Sequence, residues 1–148
     1  MGVEIERKFL VHRDQLPRDL PAGDAIEQGY LANTPTVRVR VRTAPDGTRR
    51  GELTIKGKGK LTRAEYNYEI PADDGAELLE LSATSLRKTR RVLGRWELDF
   101  FPELDLWLAE IELEREDEPF EKPAWVAAEV TLDPAYSNSR LASATSKR

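Results

Sequence analysis

Between Val37 and Thr43 the chain alternates without a break. Val37, Val39 and Val41 fall on one side of a period-two pattern, and Arg38, Arg40 and Arg42 on the other. An extended strand separates such residues into two faces. Neighbouring guanidinium groups then stand roughly 7 Å apart along one face. Charges that close repel unless water or an anion lies between them. The pattern recurs along the chain. Glu4 to Val11 places Glu4, Glu6 and Lys8 opposite Ile5, Phe9 and Val11. Glu52 to Lys58 places Glu52, Thr54 and Lys56 opposite Leu53 and Ile55. Arg63 to Ile70 sets Arg63, Glu65, Asn67 and Glu69 against Tyr66, Tyr68 and Ile70. Leu86 to Leu93 carries Lys88 and Arg90. Trp96 to Phe101 carries Glu97 and Asp99 opposite Trp96, Leu98 and Phe100. Leu106 to Arg115 carries Glu110, Glu112 and Glu114 opposite Ile111 and Leu113. With Ala25 to Leu31, where Gly29 reads as a bulge, these make about eight strands.

The intervening residues punctuate. Arg13 to Gly23 is a connector broken by Pro17 and Pro21, and Asn33-Thr34-Pro35 and Pro45-Asp46-Gly47 read as turns. Pro71 stops the strand before it. Asp73 and Asp74 suit a helix start, and Ala76 to Ser82 forms a short amphipathic helix with Leu78, Leu79 and Leu81. Glu116 to Pro123 is an acidic loop, Trp125 to Leu132 either strand or helix, and Asp133 to Tyr136 a turn. Ser137 to Ala144 is a short weak helix, and Ser146 to Arg148 is expected to fray. At 148 residues, a single domain over 1–148 is long enough to bury a core.

Two architectures fit the charged faces. An open antiparallel sheet would keep them in water and put its apolar face under helices. Alternatively the sheet curls into a barrel with the charges inside, where eight strands leave room for side chains or one small ligand. The helices look short for so long a sheet. In the barrel, the outward apolar faces need cover from helices and from a second copy of the chain, so a homodimer is expected. Inward Arg and Lys suit a polyanion, because guanidinium forks match phosphate oxygens. Clustered carboxylates at one rim suit a hard divalent cation, Mg²⁺ or Mn²⁺. Left uncompensated, each buried charge would cost several kcal/mol.

Composition closes off other classes. No apolar run approaches the roughly 20 residues of a membrane span, and charge begins at Glu4, so neither membrane association nor a secretory leader is expected. The chain has no cysteine, which excludes disulfides, a thiolate metal site and a Cys nucleophile, and a cytoplasmic location fits. A net charge of −4 with a pI near 5.2 speaks against a nucleic-acid partner while leaving room for a local basic pocket.

Taken in order, these residues resemble the CYTH, or triphosphate tunnel metalloenzyme, superfamily. Its E-x-E-x-K motif stands here as Glu4, Glu6 and Lys8, its R-x-R strand as Arg38 and Arg40, and the lysine of the next strand as Lys56. Arg63 and Glu65 match the R-x-E element, Lys88 and Arg90 the K-x-R strand, and Asp99 the tunnel aspartate. Glu110 and Glu112 match the late E-x-E motif, and Glu129-Val130-Thr131 with Tyr136, Ser137 and Asn138 the closing segment of short bacterial members. Single motifs are weak; the ordered set, spread over nearly the whole chain, is specific. Asn67 departs, since many bacterial members carry a glutamate there, and the amide trims the charge of the acidic set.

The resemblance implies a mainly β (α+β) fold: an eight-stranded antiparallel closed tunnel barrel with a charged interior and a few short flanking helices. It implies a small-molecule triphosphate substrate, most often inorganic tripolyphosphate hydrolysed to pyrophosphate and phosphate. Relatives act on thiamine triphosphate or nucleotides, or cyclise ATP. A non-catalytic polyphosphate- or nucleotide-binding module is the rival from another class, and the two intact E-x-E pairs speak against it. By the same resemblance Lys8, Arg38, Arg40, Lys56, Arg63, Lys88 and Arg90 bind the phosphates. Glu4, Glu6, Asp99, Glu110 and Glu112 hold Mg²⁺ or Mn²⁺, and Glu4, Glu6, Lys8 and Glu65 form the catalytic set, with Glu65 orienting water or salt-bridging a phosphate-binding Arg. Elsewhere the plain readings hold. His12, the single histidine, is a surface residue. Trp96, Trp107 and Trp125 belong to outer core. Lys56-Gly57-Lys58-Gly59-Lys60 is a hairpin loop at the tunnel mouth, without the Walker pattern.

Overall fold

The computed structural model describes residues 2–146. Met1, Lys147 and Arg148 lie outside it, so the expected fraying falls mostly on residues beyond the described ones. The strands are β1 (Val3–Val11), β2 (Asp24–Asn33), β3 (Thr36–Thr43), β4 (Arg49–Lys56), β5 (Thr62–Ile70), β6 (Thr84–Leu93), β7 (Trp96–Phe101), β8 (Leu106–Glu112) and β9 (Val126–Glu129). Helix α1 (Ala72–Glu80) lies between β5 and β6, and α2 (Asn138–Ser146) follows β9.

All pairings are antiparallel, in the order β5-β4-β3-β2-β6-β7-β8-β1, and β1 also pairs β5, which closes an eight-stranded barrel. β1 does this by splitting one edge between two partners. Val3, Glu4 and Ile5 pair Ala64, Arg63 and Thr62 of β5, whereas Phe9 and Val11 pair Glu129 and Val126 of β9. Its other edge pairs β8 continuously from Glu6↔Glu112 to Leu10↔Leu108. The closed barrel with two short helices is the expected fold, and β9 is the extra strand, settling the Trp125–Leu132 ambiguity in favour of a strand.

Local differences have local causes. α1 begins at Ala72, four residues before the expected start at Ala76, with Asp73 and Asp74 in its first turn where the helix dipole favours them. Gly29 is not the bulge of β2; the register shifts between Tyr30 and Ala32. Gly29 instead sits under the residues that follow α1, where an added Cβ would lie 2.2 Å from Ser82 Oγ. β8 stops at Glu112, leaving Glu114 beyond it.

The outward apolar residues are covered by connections more than by helices. Phe9, Trp96, Leu98, Ala109, Ile111 and Leu113 form one buried layer with Trp125. Leu16 and Leu20 of the first connector and Phe120 of the acidic loop lie over it. Trp96 meets Phe9, Phe120 and Trp125 edge to face, with centroids 5.5–5.8 Å apart. α1 covers β3 and β4, and Gly75 permits the approach, since a Cβ there would stand 2.9 Å from Val41 Cγ2. The large apolar residues that stay exposed are Val3, Tyr66 and Tyr68 on the paired β1 and β5, together with Leu81, Val92 and Leu132 elsewhere on the described surface. α2 behaves differently. Leu10, Tyr30, Leu86, Phe101 and Leu108 share the inward parity and pack with Leu141 and Ala142, so α2 closes one end of the barrel. Among the described residues no helix is long and apolar enough to cross a membrane.

Trp96→Ala removes the centre of the aromatic layer. It should cost about 3–5 kcal/mol, read as a lower urea midpoint at an unchanged m-value.

Candidate functional site

The period-two pattern turns inward for every charged strand. A cavity of about 440 Å³ is lined by Glu4, Glu6 and Lys8 of β1, Arg38 and Arg40 of β3, Lys56 of β4, Arg63 and Glu65 of β5, Lys88 and Arg90 of β6, and Glu110 and Glu112 of β8. The barrel therefore brings together twelve of the thirteen residues singled out from sequence. Asp99 is buried immediately behind that wall. Its Oδ1 and Oδ2 accept from Arg90 Nε and Nη2, both at 2.8 Å, and Lys88 Nζ lies 2.8 Å from Oδ2. Both its oxygens are engaged with cations.

Among the described residues, two groups of carboxylates have oxygens within 4.8 Å of one another, close enough to share a cation: Glu4, Glu65 and Glu112, and Glu6, Glu97 and Glu110. Glu97 was not among the metal-ligand candidates, although it lies two residues before Asp99 on the same face, so parity alone pointed to it. Glu65 pairs Lys56 at 3.3 Å and accepts from Asn67 Nδ2 at 3.0 Å, so its salt bridge is to a lysine and not to an arginine. Lys56 Nζ also lies 3.1 Å from Glu4 Oε1.

The protonation of these groups reflects crowding. Glu6 is pushed well above the usual carboxylate range, by burial first and then by Glu110 and Glu4. Glu110 goes the other way: burial opposes ionisation, but Lys8, Arg90 and Lys88 hold it well below that range. Glu4 is raised, chiefly by burial, against the pull of Lys56. Glu65 is lowered to about 2, its hydrogen bond with Glu4 and the charge of Lys56 outweighing burial. Each group thus contains two carboxylates leaning on one proton. A divalent cation replaces such a proton, so the donor sets fit a metal.

The cations show a matching deficit. Arg38 Nη2 donates to Thr54 Oγ1 at 2.9 Å, but its Nε is buried with no hydrogen-bond partner among the described residues. Arg40 holds its proton less firmly than usual, through burial and then the charges of Arg38 and Arg90. Lys88 is lowered to about 7, by burial first and then by Arg90, against the pull of Asp99. An anion would relieve all three.

The sequence names Tyr136 and Asn138 only through the matching closing segment, with no role in the site, and does not single out Gln28. Tyr136 and Asn138 reach the cavity from the chain leading into α2: Lys8 Nζ donates to Tyr136 O at 2.8 Å, and Lys88 Nζ to Asn138 Oδ1 at 2.8 Å. Gln28, fully buried on β2, accepts from Arg40 Nε at 2.9 Å. His12 has no place in the cavity lining, and the loop after Lys56 contributes Gly59 and Lys60 to it.

Asp99 and Glu112 should separate in stability. Asp99→Ala strands two buried cations and should cost about 3–5 kcal/mol in urea, whereas Glu112→Ala, at the exposed end of β8, should leave the midpoint unchanged. Glu6 predicts a pH dependence of defined sign. It keeps its proton in the metal-free fold where the unfolded chain has lost it, so raising the pH through that window destabilises the metal-free protein. Cation binding needs the ionised form and should strengthen over the same window, with proton release seen by calorimetry in buffers of different ionisation enthalpy. Glu6→Gln should abolish that release.

The CYTH domain family matches residues 2–141 of the chain. A protein of Acetivibrio thermocellus described as an inorganic triphosphatase is 41% identical over 150 residues, covering 95% of this chain and 94% of its own length. The solved structure of the inorganic triphosphatase NE1496 superposes with a TM-score of 0.61 at 34% identity, over 93% of this chain and 96% of the other. A second structure of NE1496, described as a hypothetical protein, gives 0.61 at 33% identity over 94% and 96%. A barrel closed through β1, charged within and matched over nearly its whole length, makes the chain a member of the CYTH domain family.

Proposed function

We propose that this chain is a divalent-metal-dependent triphosphatase that hydrolyses inorganic tripolyphosphate to pyrophosphate and phosphate. The observation that carries the reading is the convergence of Lys8, Arg38, Arg40, Lys56, Lys88 and Arg90 on one cavity, facing two triads of carboxylates. The likeness to proteins described as inorganic triphosphatases supports it. The lining is dominated by charged and polar side chains, with Tyr30, Val130, Pro134 and Tyr136 the exceptions, which suits an inorganic chain of phosphates.

In this reading Arg38 and Arg40 offer forked donors to phosphate oxygens, and Lys8, Lys88 and Arg90 neutralise the charge spread over the transferring phosphoryl group. Lys56, fixed between Glu4 and Glu65, adds a point charge, and Arg63, 3.7 Å from Glu4, stands at the edge of the same set. Mg²⁺ or Mn²⁺, held by Glu4, Glu65 and Glu112 or by Glu6, Glu97 and Glu110, would supply Lewis acidity and lower the pKa of a bound water. Asp99 serves the reaction by holding Lys88 and Arg90 in place. Water adds to the terminal phosphorus and releases its proton to solvent, the bridging P–O bond breaks, and pyrophosphate leaves with the electron pair. The side chains position and neutralise; none forms a covalent intermediate.

Phosphate release from tripolyphosphate, ATP and thiamine triphosphate, each with Mg²⁺, Mn²⁺ or EDTA, tests the reading. Tripolyphosphate should be preferred, EDTA should stop turnover, and Glu6→Ala and Glu112→Ala should each abolish it while the protein remains folded. Preference for an organic triphosphate moves the assignment to another activity of the fold, and tight triphosphate binding without release makes the protein a binding module. The homodimer now rests on the exposed strip of Val3, Tyr66 and Tyr68; light scattering should show a dimer, and a monomer at micromolar concentration removes it.

A further inference from the structure

Lys88 is buried, its side chain 1% exposed, and an ammonium has three protons to place. One points to Asp99 Oδ2 and one to Asn138 Oδ1, each at 2.8 Å. The third has no hydrogen-bond acceptor among the described residues; the Phe101 ring centroid lies 5.5 Å from Nζ on the apolar side, and Lys88 lines the cavity on the other. With two partners on fixed elements, β7 and the start of α2, the direction of the third is set without freedom to rotate.

The same Asn138 oxygen also accepts from Gln28 Nε2 at 3.2 Å. Gln28 cannot turn its amide round. Its Oε1 accepts from Arg40 Nε, and its Nε2 donates to Tyr30 Oη at 3.0 Å as well as to Asn138. Reversal would set an NH₂ against a guanidinium. Asn138 cannot turn either, since its NH₂ would then face both an ammonium and an amide donor. A single carbonyl oxygen thus fixes Lys88 directly and Arg40 through Gln28. It is held by α2, which Leu141 and Ala142 anchor in the apolar end of the barrel and Thr145 ties to Ser85 O.

We infer that Asn138 is a positioning residue: its side-chain carbonyl, with Gln28, aims Lys88 and Arg40 at the phosphates, so that the plug helix at the closed end is part of the catalytic apparatus. This rests on the proposed reading in which Lys88 and Arg40 grip the substrate. Loss of Asn138 leaves Lys88 to fall back on Asp99 and leaves a buried donor of Gln28 unpaired.

A double-mutant cycle with tripolyphosphate tests it, using Asn138→Ala, Lys88→Ala and the pair, with circular dichroism confirming the fold of each. Asn138→Ala should lower kcat/KM by about tenfold to a hundredfold, the scale of small misplacements. In the Lys88→Ala background the same change should cost clearly less than in the parent, because the direct arm is already removed and only the arm that reaches Arg40 through Gln28 remains. Ser143→Ala, which removes a hydrogen bond within α2 to Ser139 O, should leave kcat/KM unchanged. Asn138→Asp keeps an oxygen for both donors but brings a negative charge toward the phosphates. It should hold kcat within about threefold and raise KM, and it serves in place of the alanine variant should that fail to fold. Additive losses across the cycle, or a kcat of Asn138→Asp as low as that of Asn138→Ala, overturn the inference while the grip by Lys88 stands. Unchanged hydrolysis by Lys88→Ala overturns the grip and the inference together.

Discussion

Everything in this molecule depends on how buried charge is compensated inside a closed barrel. The firmest part is the set around Asp99, where one fully buried carboxylate receives both forks of Arg90 and the ammonium of Lys88, and Glu110 accepts from Arg90 Nη2 at 2.9 Å. Taking such ions out of water is expensive, and only close, fully hydrogen-bonded geometry repays it. The geometry is available because β6, β7 and β8 are adjacent and in a register that places Arg90 opposite Asp99, with Glu110 opposite Glu97 on the next pair.

Around this compensated centre lies a rim that is incompletely compensated. Glu6 with Glu110, and Glu4 with Glu65, crowd carboxylates that cannot all ionise. Across the cavity, Arg38 keeps a buried donor without a partner among the described residues, and Arg40 faces other cations. The surplus of each sign is the complement of what a metal-bound polyphosphate brings, and the two surpluses face one cavity. A barrel evolved only for stability would pair them with each other.

The apolar side is settled by connections. Eight outward faces exceed what two nine-residue helices can cover. The first connector, the acidic loop and β9 cover the β1–β7–β8 side, while α2 is spent on the interior, sealing one end with Leu141 and Ala142. Packing at that end brings the Asn138 carbonyl to Lys88 and Gln28. A helix that reads in the sequence only as short and weak is thereby tied to the charged site.

Strand existence, facing and the charged set were legible in the sequence because side-chain parity in a strand is rigid. Arg38 and Arg40 must share a face whatever the strand pairs with, and the same holds for Glu4, Glu6 and Lys8. Parity says nothing about whether that face meets water or itself. Closure was decided by β1 pairing β5 while sharing the same edge with β9, contacts between distant stretches of chain that no local pattern encodes. The grouping of carboxylates also came only from the fold: Glu97 replaces Asp99 beside Glu6 and Glu110 because Asp99 is drawn back by Arg90 and Lys88. Gln28, Tyr136 and Asn138 enter through an amide or a backbone carbonyl, which carry no charge and follow no period. By itself, then, the sequence determined which residues are charged together on which strands; the tertiary structure decided which charges meet, because pairing energies depend on distances across the barrel that only closure sets.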